Sequence, residues 1–264
     1  MKKKYAQPAE FTTLELMAVC GARAIRNGEV VFIGTGLPMI AAMLAKKTHA
    51  PEAKIVYEAG FIDSNAIDIA LSIADSRLGY RASAAIGLIE TLGLMLQGGR
   101  VDVGFVGAAQ IDEHGNINTT YIGSFENPAV RLPGSGGGND IVSSAKRIVI
   151  LMTHEKRKLV KKLDYTTSPG FLDGPNAREK AGLRGGGPSL VVTNLCQLDF
   201  DPETKRLRLA TVHPGVSVQQ VLENTGCDLI VPEQVPTTEP PTHEEIKLLR
   251  QIDPYGIYIP KAKS

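Results

Sequence analysis

The alternation of helix and strand patterns in residues 12–60 constrains the fold of this chain more than any other feature. Thr12 or Thr13 can cap a helix whose apolar residues recur at helical spacing and which Asn27-Gly28 is expected to end. The apolar runs "VVFIG" and "KIVYEAG" indicate two buried strands, and the helical pattern "MIAAMLAKKTHA" lies between them. Strand, helix and strand in this order are typical of the βαβ unit of a parallel sheet.

The rest of the chain continues this theme. "AIGLIETLGLMLQGG" predicts a helix and "AKRIVILMTH" a buried strand. "PSLVVTNLCQLDFDPETKRLRLATVHPG" predicts three strands with an antiparallel pair among them. No internal repeat and no shift in composition marks a domain boundary. We therefore predict one α/β domain over residues 1–264, with an open, mainly parallel sheet, flanking helices and a small antiparallel excursion near the C-terminus.

The composition excludes several classes of protein. Lys plus Arg is 29 against 28 for Asp plus Glu, and this balance gives no basic field for nucleic acid or membrane. No run approaches the roughly 18 apolar residues of a membrane span, and "MKKKYAQPAEF" lacks the apolar segment of a signal peptide. Cys20, Cys196 and Cys227 are odd in number and far apart, as expected of reduced thiols in the cytoplasm.

A carboxylate stands at the end of the second strand. In "IVYEAGFIDSN", Glu58 follows a short apolar run and precedes Ala59 and Gly60, where the chain must turn. Open α/β sheets bind their ligands at the carboxyl ends of the strands, so a reactive group would lie here. A buried structural charge and a solvated turn residue are the alternatives that the residues themselves leave open.

The first glycine cluster, "FIGTGLPM", contains Gly34 and Gly36 and joins a strand to a helix. The dinucleotide pattern G-x-G-x-x-G would require glycine at position 39, which is Met39, and no Gly-Lys-Ser/Thr follows to make a phosphate-binding loop. A structural turn and a turn beside a ligand both remain open.

The second glycine cluster, "LPGSGGGND", contains Gly136, Gly137 and Gly138. The nucleophile pattern G-x-S-x-G fails because position 133 is Pro133. Consecutive glycines allow a ligand to approach the backbone and can point N–H groups at a developing negative charge. A flexible surface loop is the alternative interpretation.

Histidine and cysteine give no metal motif, because no C-x-x-C occurs and "HEEIK" lacks the second histidine of H-E-x-x-H. We therefore expect no bound metal. The basic run "HEKRKLVKK" at residues 154–162 is interpreted as a solvated helix face, or alternatively as a surface that attracts a phosphorylated or acidic partner.

Six segments spread along the chain together resemble one family: "NGEVVFIGTGLPMIAAMLAKK", "IVYEAGFID", "GFVGAAQIDEHGNINTTYIG", "RLPGSGGGND", "HEKRKLVKKLDYTTSPGFLDGP" and "LENTGCDL". They are similar, in this order, to the β subunits of class I coenzyme A (CoA) transferases of the glutaconate CoA-transferase type. The resemblance implies an open α/β fold and a CoA-transferase that moves CoA from a short acyl-CoA such as acetyl-CoA to a dicarboxylic acid such as glutaconate. It also implies a related α subunit in a hetero-oligomer, α2β2 or larger, no bound cofactor, and a CoA thioester as substrate.

The resemblance also implies roles for individual residues. Glu58 matches the family nucleophile, which forms a covalent glutamyl-CoA thioester, and the segment Gly134–Gly138 matches the backbone donors to the thioester oxygen. The resemblance thus makes Gly136, Gly137 and Gly138 oxyanion residues. From their places at the ends of the first two strands, Gly34, Gly36 and Gly60 are expected to lie near the substrate.

The sequence departs from the family in two places. Ala59 stands where a polar residue is usual, and residues 63–100 match poorly, which puts the acceptor acid in doubt more than the reaction. One branch of the family carries cysteine in place of the glutamate and decarboxylates acyl-CoA, and Glu58 argues against that branch. An acyl-CoA hydrolase or lyase on the same scaffold, and a non-catalytic subunit that completes a partner's site, remain alternatives.

Overall fold

The computed structural model describes residues 4–64 and 69–260. The helices, numbered along the chain, are α1 (Thr13–Arg23), α2 (Leu37–Lys47), α3 (Gly138–Ser144), α4 (Ala177–Lys180), α5 (Val218–Glu223) and α6 (His243–Ile252). The strands are β1 (Val30–Ile33), β2 (Lys54–Tyr57), β3 (Phe61–Ile62), β4 (Ala84–Ala85), β5 (Val103–Gly107), β6 (Gln110–Ile111), β7 (Ile117–Asn118), β8 (Tyr121–Gly123), β9 (Pro128–Arg131), β10 (Arg147–Leu151), β11 (Pro188–Val192), β12 (Cys196–Phe200) and β13 (Leu207–Val212). Short 3₁₀ turns cover Pro8–Glu10 and Ser76–Gly79, and a π-helical segment covers Glu90–Gln97.

The chain divides into two compact units. The first contains the described residues of Met1–Phe105 and Glu239–Ser264, and the second is Val106–Thr238. Strand β5 begins in the first unit and ends in the second. The single domain over residues 1–264 stays a prediction.

The first unit contains the predicted βαβ pattern. Strand β1 pairs in parallel with β2 on one side and with β5 on the other, and α2 connects β1 to β2. The sheet continues from β2 to β3 and β4 through antiparallel pairs, which the sequence did not predict. These two-residue strands are too short to produce an alternating pattern.

Helix α1 starts where the sequence predicts and ends earlier. The Thr12 hydroxyl accepts a hydrogen bond from the Glu15 N–H (3.2 Å), and the Glu15 carboxylate accepts one from the Thr12 N–H (2.7 Å), a complete capping box. The Ile25 N–H then donates to the Ala22 carbonyl (3.0 Å). This hydrogen bond reaches three residues back instead of four and closes the last turn as a 3₁₀-type turn. Asn27-Gly28 therefore lies beyond the end of the helix, and the predicted end point is wrong.

The helix predicted over residues 85–99 is shorter and wider than expected. Ala85 belongs to strand β4, and the helical part has hydrogen bonds that reach five residues back, from the Gly98 N–H to the Gly93 carbonyl and from the Arg100 N–H to the Met95 carbonyl, both 2.9 Å.

The second unit contains the antiparallel excursion. Strand β10 pairs in parallel with β11, after which β11, β12 and β13 are antiparallel neighbours. The sequence predicts the three strands and one antiparallel pair among them. Two small sheets, β6–β7 and β8–β9, complete this unit. The predicted α/β class with parallel strand pairs and an antiparallel excursion near the C-terminus is confirmed.

The basic run at residues 154–162 is not a helix, so its interpretation as a helix face is wrong. The Lys158 N–H closes a turn on the Glu155 carbonyl (2.8 Å), and the next residues form bridges, Leu159 to Ile111 and Val160 to Gly226. Leu159 is fully buried by these bridges. Burial of one apolar residue inside the run favours extended backbone over a solvated helix.

Among the helices in residues 4–64 and 69–260, none combines the length and the apolar composition that crossing a bilayer would require.

Candidate active site

Glu58 lies in the loop of a β-hairpin. Val56 of β2 pairs with Ile62 of β3, and the Gly60 N–H donates to the Tyr57 carbonyl (2.9 Å). The three residues from Glu58 to Gly60 thus form a tight connection between antiparallel strands. The sequence predicted the turn but not the strand that returns from it.

Gly60 is required at this turn. Its φ of +95° is unfavourable for residues with a side chain, and a Cβ atom would lie 1.8 Å from the Ile86 carbonyl oxygen. The Gly60 carbonyl also accepts the Ile86 N–H at 3.0 Å. The backbone on one side of Glu58 is therefore held by both steric contact and a hydrogen bond.

Gly34 and Gly36 lie in the same unit, at the carboxyl end of the neighbouring strand. Ile33 of β1 is in register with Tyr57 of β2, so Gly34 and Glu58 are the next residues beyond two adjacent parallel strands. Gly36, with a φ of +87°, starts helix α2. The structure thus brings Gly34, Gly60 and Glu58 to one sheet edge, where open α/β folds bind ligands.

Glu58 is a half-buried residue, and its carboxylate has no hydrogen bond and no ion pair among the residues that the structure describes. Asp63, just beyond the hairpin, differs in this respect, because it pairs with Lys46 and with Lys54 (Nζ to Oδ2, 3.3 Å). A nucleophilic carboxylate needs an available lone pair, which a salt bridge would occupy. The Glu58 carboxylate has such a lone pair, because no described residue forms a salt bridge with it.

The second glycine cluster lies in the second unit, immediately before helix α3. Gly134 is held to Thr119 by two hydrogen bonds, from its N–H to the Thr119 carbonyl (2.8 Å) and from the Thr119 hydroxyl to its carbonyl (2.7 Å). Gly134 and Gly136 have positive φ, and a Cβ atom on either would meet nothing within 4 Å. No neighbouring atom occupies the place of either missing Cβ, so these glycines leave open space beside the backbone.

The three predicted oxyanion residues differ in their amides. The Gly138 N–H donates to the Ser135 carbonyl at 2.7 Å and is not available to a ligand. Within the described residues, the N–H groups of Gly136 and Gly137 have no acceptor. Two adjacent donors therefore remain from the predicted set of three.

A cavity of about 150 Å³ lies against this segment, within the second unit. Its lining combines the hydroxyl residues Thr119, Ser135 and Ser168 with apolar residues such as Ile117 and Val142. This volume is roughly that of five water molecules, so it suits a small group and not a whole cofactor. Thr119 and Ser168 were not predicted from the sequence, because isolated hydroxyl residues in loops carry no pattern that marks them.

Two histidines of the second unit, His154 and His213, have structural roles. His154 is buried, and its ring nitrogens contact the hydroxyls of Thr193 (3.2 Å) and Thr225 (2.9 Å). Burial, with a smaller effect of His213, lowers the pKa of His154 to about 4, and burial also lowers the pKa of His213. Both rings are therefore neutral members of the core at neutral pH.

Within residues 4–64 and 69–260, no group of three or more His, Cys, Asp or Glu side chains is arranged to hold a metal ion.

Comparison with known proteins gives a consistent family. The family model described as coenzyme A transferase matches residues 14–224. One subunit of the glutaconate CoA-transferase of Acidaminococcus fermentans is 42% identical over 96% of this chain and 97% of the relative. One subunit of the 3-oxoadipate CoA-transferase of Pseudomonas knackmussii is also 42% identical, over 92% of this chain and 94% of the relative.

Comparison with solved structures identifies the same family. The crystal structure of glutaconate coenzyme A-transferase from Acidaminococcus fermentans superposes with a TM-score of 0.90 at 40% identity, covering 98% of this chain and 100% of that one. The resemblance inferred from the sequence motifs is confirmed. With a family model matched over most of its length and two transferase subunits at equal identity, this chain belongs to the coenzyme A transferase family and is a CoA-transferase subunit.

Proposed function

We propose that Glu58 is the nucleophile of a CoA-transferase that moves CoA from a short acyl-CoA, such as acetyl-CoA, to a dicarboxylic acid. The observation that carries this proposal is an unpartnered carboxylate, among the described residues, in a hairpin loop at the carboxyl end of the parallel strands. The family membership gives that carboxylate a reaction in which no metal or redox group is needed.

The proposed reaction conserves the energy of the thioester in covalent bonds. The Glu58 carboxylate attacks the acyl-CoA carbonyl, giving an acyl-glutamyl anhydride and the CoA thiolate. The thiolate attacks the glutamyl carbonyl, which forms a glutamyl-CoA thioester and releases the first acid as its carboxylate. The carboxylate of the second acid attacks this thioester and releases the CoA thiolate. The thiolate then attacks the carbonyl of the second acid in the new anhydride, which forms the second acyl-CoA and regenerates the Glu58 carboxylate.

Each of these attacks places negative charge on a carbonyl oxygen. We propose that the N–H groups of Gly136 and Gly137 donate to that oxygen, because they have no acceptor within the described residues. Gly138 contributes to the shape of the segment and not to the donor set, since its N–H is used by Ser135. Gly34, Gly36 and Gly60 are proposed to shape the edge at which the substrate meets Glu58.

The acceptor is proposed to be a dicarboxylate. Glutaconate and 3-oxoadipate, named in the two relatives of equal identity, are both chains with a carboxylate at each end. A site for such an acid must satisfy a second carboxylate as well as the reacting one. A panel of monocarboxylic and dicarboxylic acceptors, assayed with the reconstituted complex, would test this: preference for monocarboxylates would contradict it.

The active enzyme is proposed to be a hetero-oligomer with a related α subunit, α2β2 or larger. Both relatives are named as one subunit of their enzyme, which implies a second kind of chain in each of those enzymes. We expect the purified chain alone to be inactive and the complex to be active. Full transferase activity of the single chain would refute this expectation.

Trapping of the covalent intermediate tests the proposed function directly. The reconstituted complex, incubated with acyl-CoA and no acceptor acid, should accumulate CoA on one glutamyl side chain. Borohydride should reduce the thioester, and mass spectrometry should place the modification on the peptide that contains Glu58. An adduct on another peptide, or none, would show that the mechanism is wrong.

An acyl-CoA hydrolase or lyase on the same scaffold is the competing activity. A hydrolase releases CoA at the same rate with or without an acceptor acid, whereas the proposed transferase stops after one turnover in its absence. Release of thiol during the trapping experiment therefore separates the two.

We propose the cytoplasm as the compartment. Cys20, Cys196 and Cys227 are all buried free thiols, and burial raises the pKa of each to about 12. Unpaired cysteines of this kind are typical of proteins in a reducing compartment.

A further inference from the structure

A buried guanidinium lies in the second unit, in the short helix α4. Arg178 is only 7% exposed, and each of its five N–H groups faces a backbone carbonyl. Nε donates to Gly185 (3.0 Å), Nη1 to Pro169 (2.8 Å) and Gly170 (2.7 Å), and Nη2 to Val142 (3.0 Å) and Ser143 (3.3 Å).

Within the part of the chain that the structure describes, no acidic side chain pairs with this charge. Among the residues that the structure describes, Arg178 forms no ion pair, and burial alone lowers its pKa to about 10. The guanidinium is therefore still protonated at neutral pH and is stabilised by carbonyl dipoles alone. Leaving a charge buried without a carboxylate is costly unless every donor is satisfied, and here every donor is.

Arg178 joins three separate stretches of backbone. Val142 and Ser143 lie near the end of helix α3, where the helix dipole is negative and accepts a cation favourably. Pro169 and Gly170 belong to a loop, and Gly185 lies in the segment just before strand β11. One side chain thus fixes the distance between α3 and the loop.

Two of the three stretches that Arg178 joins form walls of the 150 Å³ cavity. Gly138 and Val142 of α3 line one side, and Ser168, next to Pro169, lines another. The Asn139 side chain adds a second tie between the same two walls, since its Nδ2 donates to the Thr167 carbonyl at 2.7 Å. Helix α3 also follows Gly136 and Gly137 directly, so any shift of α3 is transmitted to their N–H groups.

We propose that Arg178 is a positioning residue for the CoA-transfer reaction: it holds helix α3 and the Ser168 loop so that the amides of Gly136 and Gly137 point at the reacting carbonyl oxygen. This inference rests on the proposed function. Arg178 touches no reacting atom, and it acts by fixing the backbone on which the oxyanion donors lie.

Lysine cannot replace arginine in this role. An ammonium group has three donors on a flexible stem, whereas the planar guanidinium offers five donors in a fixed arrangement. Arg178→Lys keeps the charge and most of the volume, but it leaves at least two of the five carbonyls without their donor. The change therefore loosens the geometry without removing the cation.

The experiment compares Arg178→Lys with Arg184→Lys in the complex reconstituted with the α chain. Arg184 is an exposed arginine of the same segment with no hydrogen bond or ion pair inside the described ranges, and it serves as the control. Rates are normalised to the number of active sites, counted as glutamyl-CoA adduct formed in the absence of acceptor. Arg178→Lys should lower kcat by roughly 10- to 100-fold while the KM for acyl-CoA changes by no more than about 2-fold.

Hydrogen exchange gives a second readout. The amides of residues 136–144 should exchange faster in Arg178→Lys than in Arg184→Lys or the unaltered chain. Arg178→Gln, which retains one amide donor group, should lower kcat further. Loss of active sites with an unchanged rate per site would show a merely structural role and overturn the proposal.

The two proposals fail in different ways. If the unaltered complex forms the Glu58 adduct and Arg178→Lys matches its rate, the positioning role alone is refuted. If the unaltered complex forms no Glu58 adduct, the proposed function fails and this inference fails with it. If both Arg178 variants fail to fold while Arg184→Lys folds, Arg178 is a structural residue and the positioning role is likewise overturned.

Discussion

The hairpin that carries Glu58 and the glycine segment before α3 use glycine for opposite purposes. At the hairpin, Gly60 makes room for the Ile86 carbonyl, and the proposed reactive group is the side chain of Glu58, two residues before it. In the glycine segment, Gly134 and Gly136 have open space around them, and the chemistry is proposed for the backbone itself. Glycine can therefore mark a packed turn or an exposed main chain, and only the surroundings of the missing Cβ distinguish the two.

The largest effect is expected when the proposed nucleophile is removed from the hairpin. Glu58→Gln should abolish transfer, by on the order of 10⁴-fold or more, because an amide cannot form the anhydride. Glu58→Asp should also lose about 100-fold, since a shorter side chain displaces the attacking oxygen by about 1 Å. Both variants should keep the thermal stability of the unaltered chain, because Glu58 has no partner among the described residues. Steady-state transfer rates and melting curves test this, and near-normal turnover of Glu58→Gln would remove Glu58 from the mechanism.

The next effect concerns the amides of the glycine segment. Gly137→Val should lower kcat by on the order of 100-fold, because a branched side chain obstructs access to the donors of Gly136 and Gly137. Gly138→Ala is the matched control: its N–H is already bonded to Ser135, and the new Cβ would meet only the Ser168 hydroxyl at 4.0 Å. We expect the control to stay within a few-fold of the unaltered rate. Equal losses in both variants would mean that shape, and not hydrogen bonding, is what this segment provides.

A third effect should appear in stability. Gly60→Ala should lower the free energy of unfolding by about 3 kcal/mol or more, because the backbone must move away from the Ile86 carbonyl. Gly28→Ala has a similar positive φ (+83°) but no atom within 4 Å of its Cβ, so it should lose only the roughly 1–2 kcal/mol of the left-handed conformation. Denaturant unfolding of the two variants measures the difference. Similar losses would show that the hairpin relaxes freely around Glu58.

The smallest effect separates the two units by their response to acid. His154 has its pKa lowered by burial to about 4 in the folded chain, against 6.5 when unfolded, so the unfolded chain binds the extra proton between these values. The contribution of His154 to the free energy of unfolding is fully present above about pH 6.5. It falls as the pH drops, by about 2 kcal/mol at pH 5 for this residue alone. Because His154 and His213 both lie in residues 106–238, amides of that unit should lose exchange protection first. His154→Gln should flatten the pH dependence, and an unchanged slope would exclude His154 as its cause.

The sequence predicted the features that depend on local chemistry. The cap of α1 at Thr12, the βαβ order and the turn at Gly60 are all present in the structure. Those features are encoded within a few neighbouring residues, so a single sequence is enough to recognise them.

The features that the sequence did not predict depend on distant contacts. Strand β3 has only two residues and is defined by its partners β2 and β4. Arg178 lies in "NAREKAG", a polar segment typical of a solvated turn or helix, and its burial comes from carbonyl groups at residues 142–143, 169–170 and 185. Such roles appear only when the tertiary arrangement is known.

The freedom of the Glu58 side chain has a consequence for how this scaffold can change over time. The hairpin is held by Gly60 and by main-chain bonds, and the side chain at position 58 contributes no hydrogen bond or ion pair among the described residues. A single substitution there would change the proposed nucleophile while the contacts that hold the hairpin remain in place. Substitutions at position 58 can therefore change the chemistry of the site during evolution while few of the resulting variants misfold.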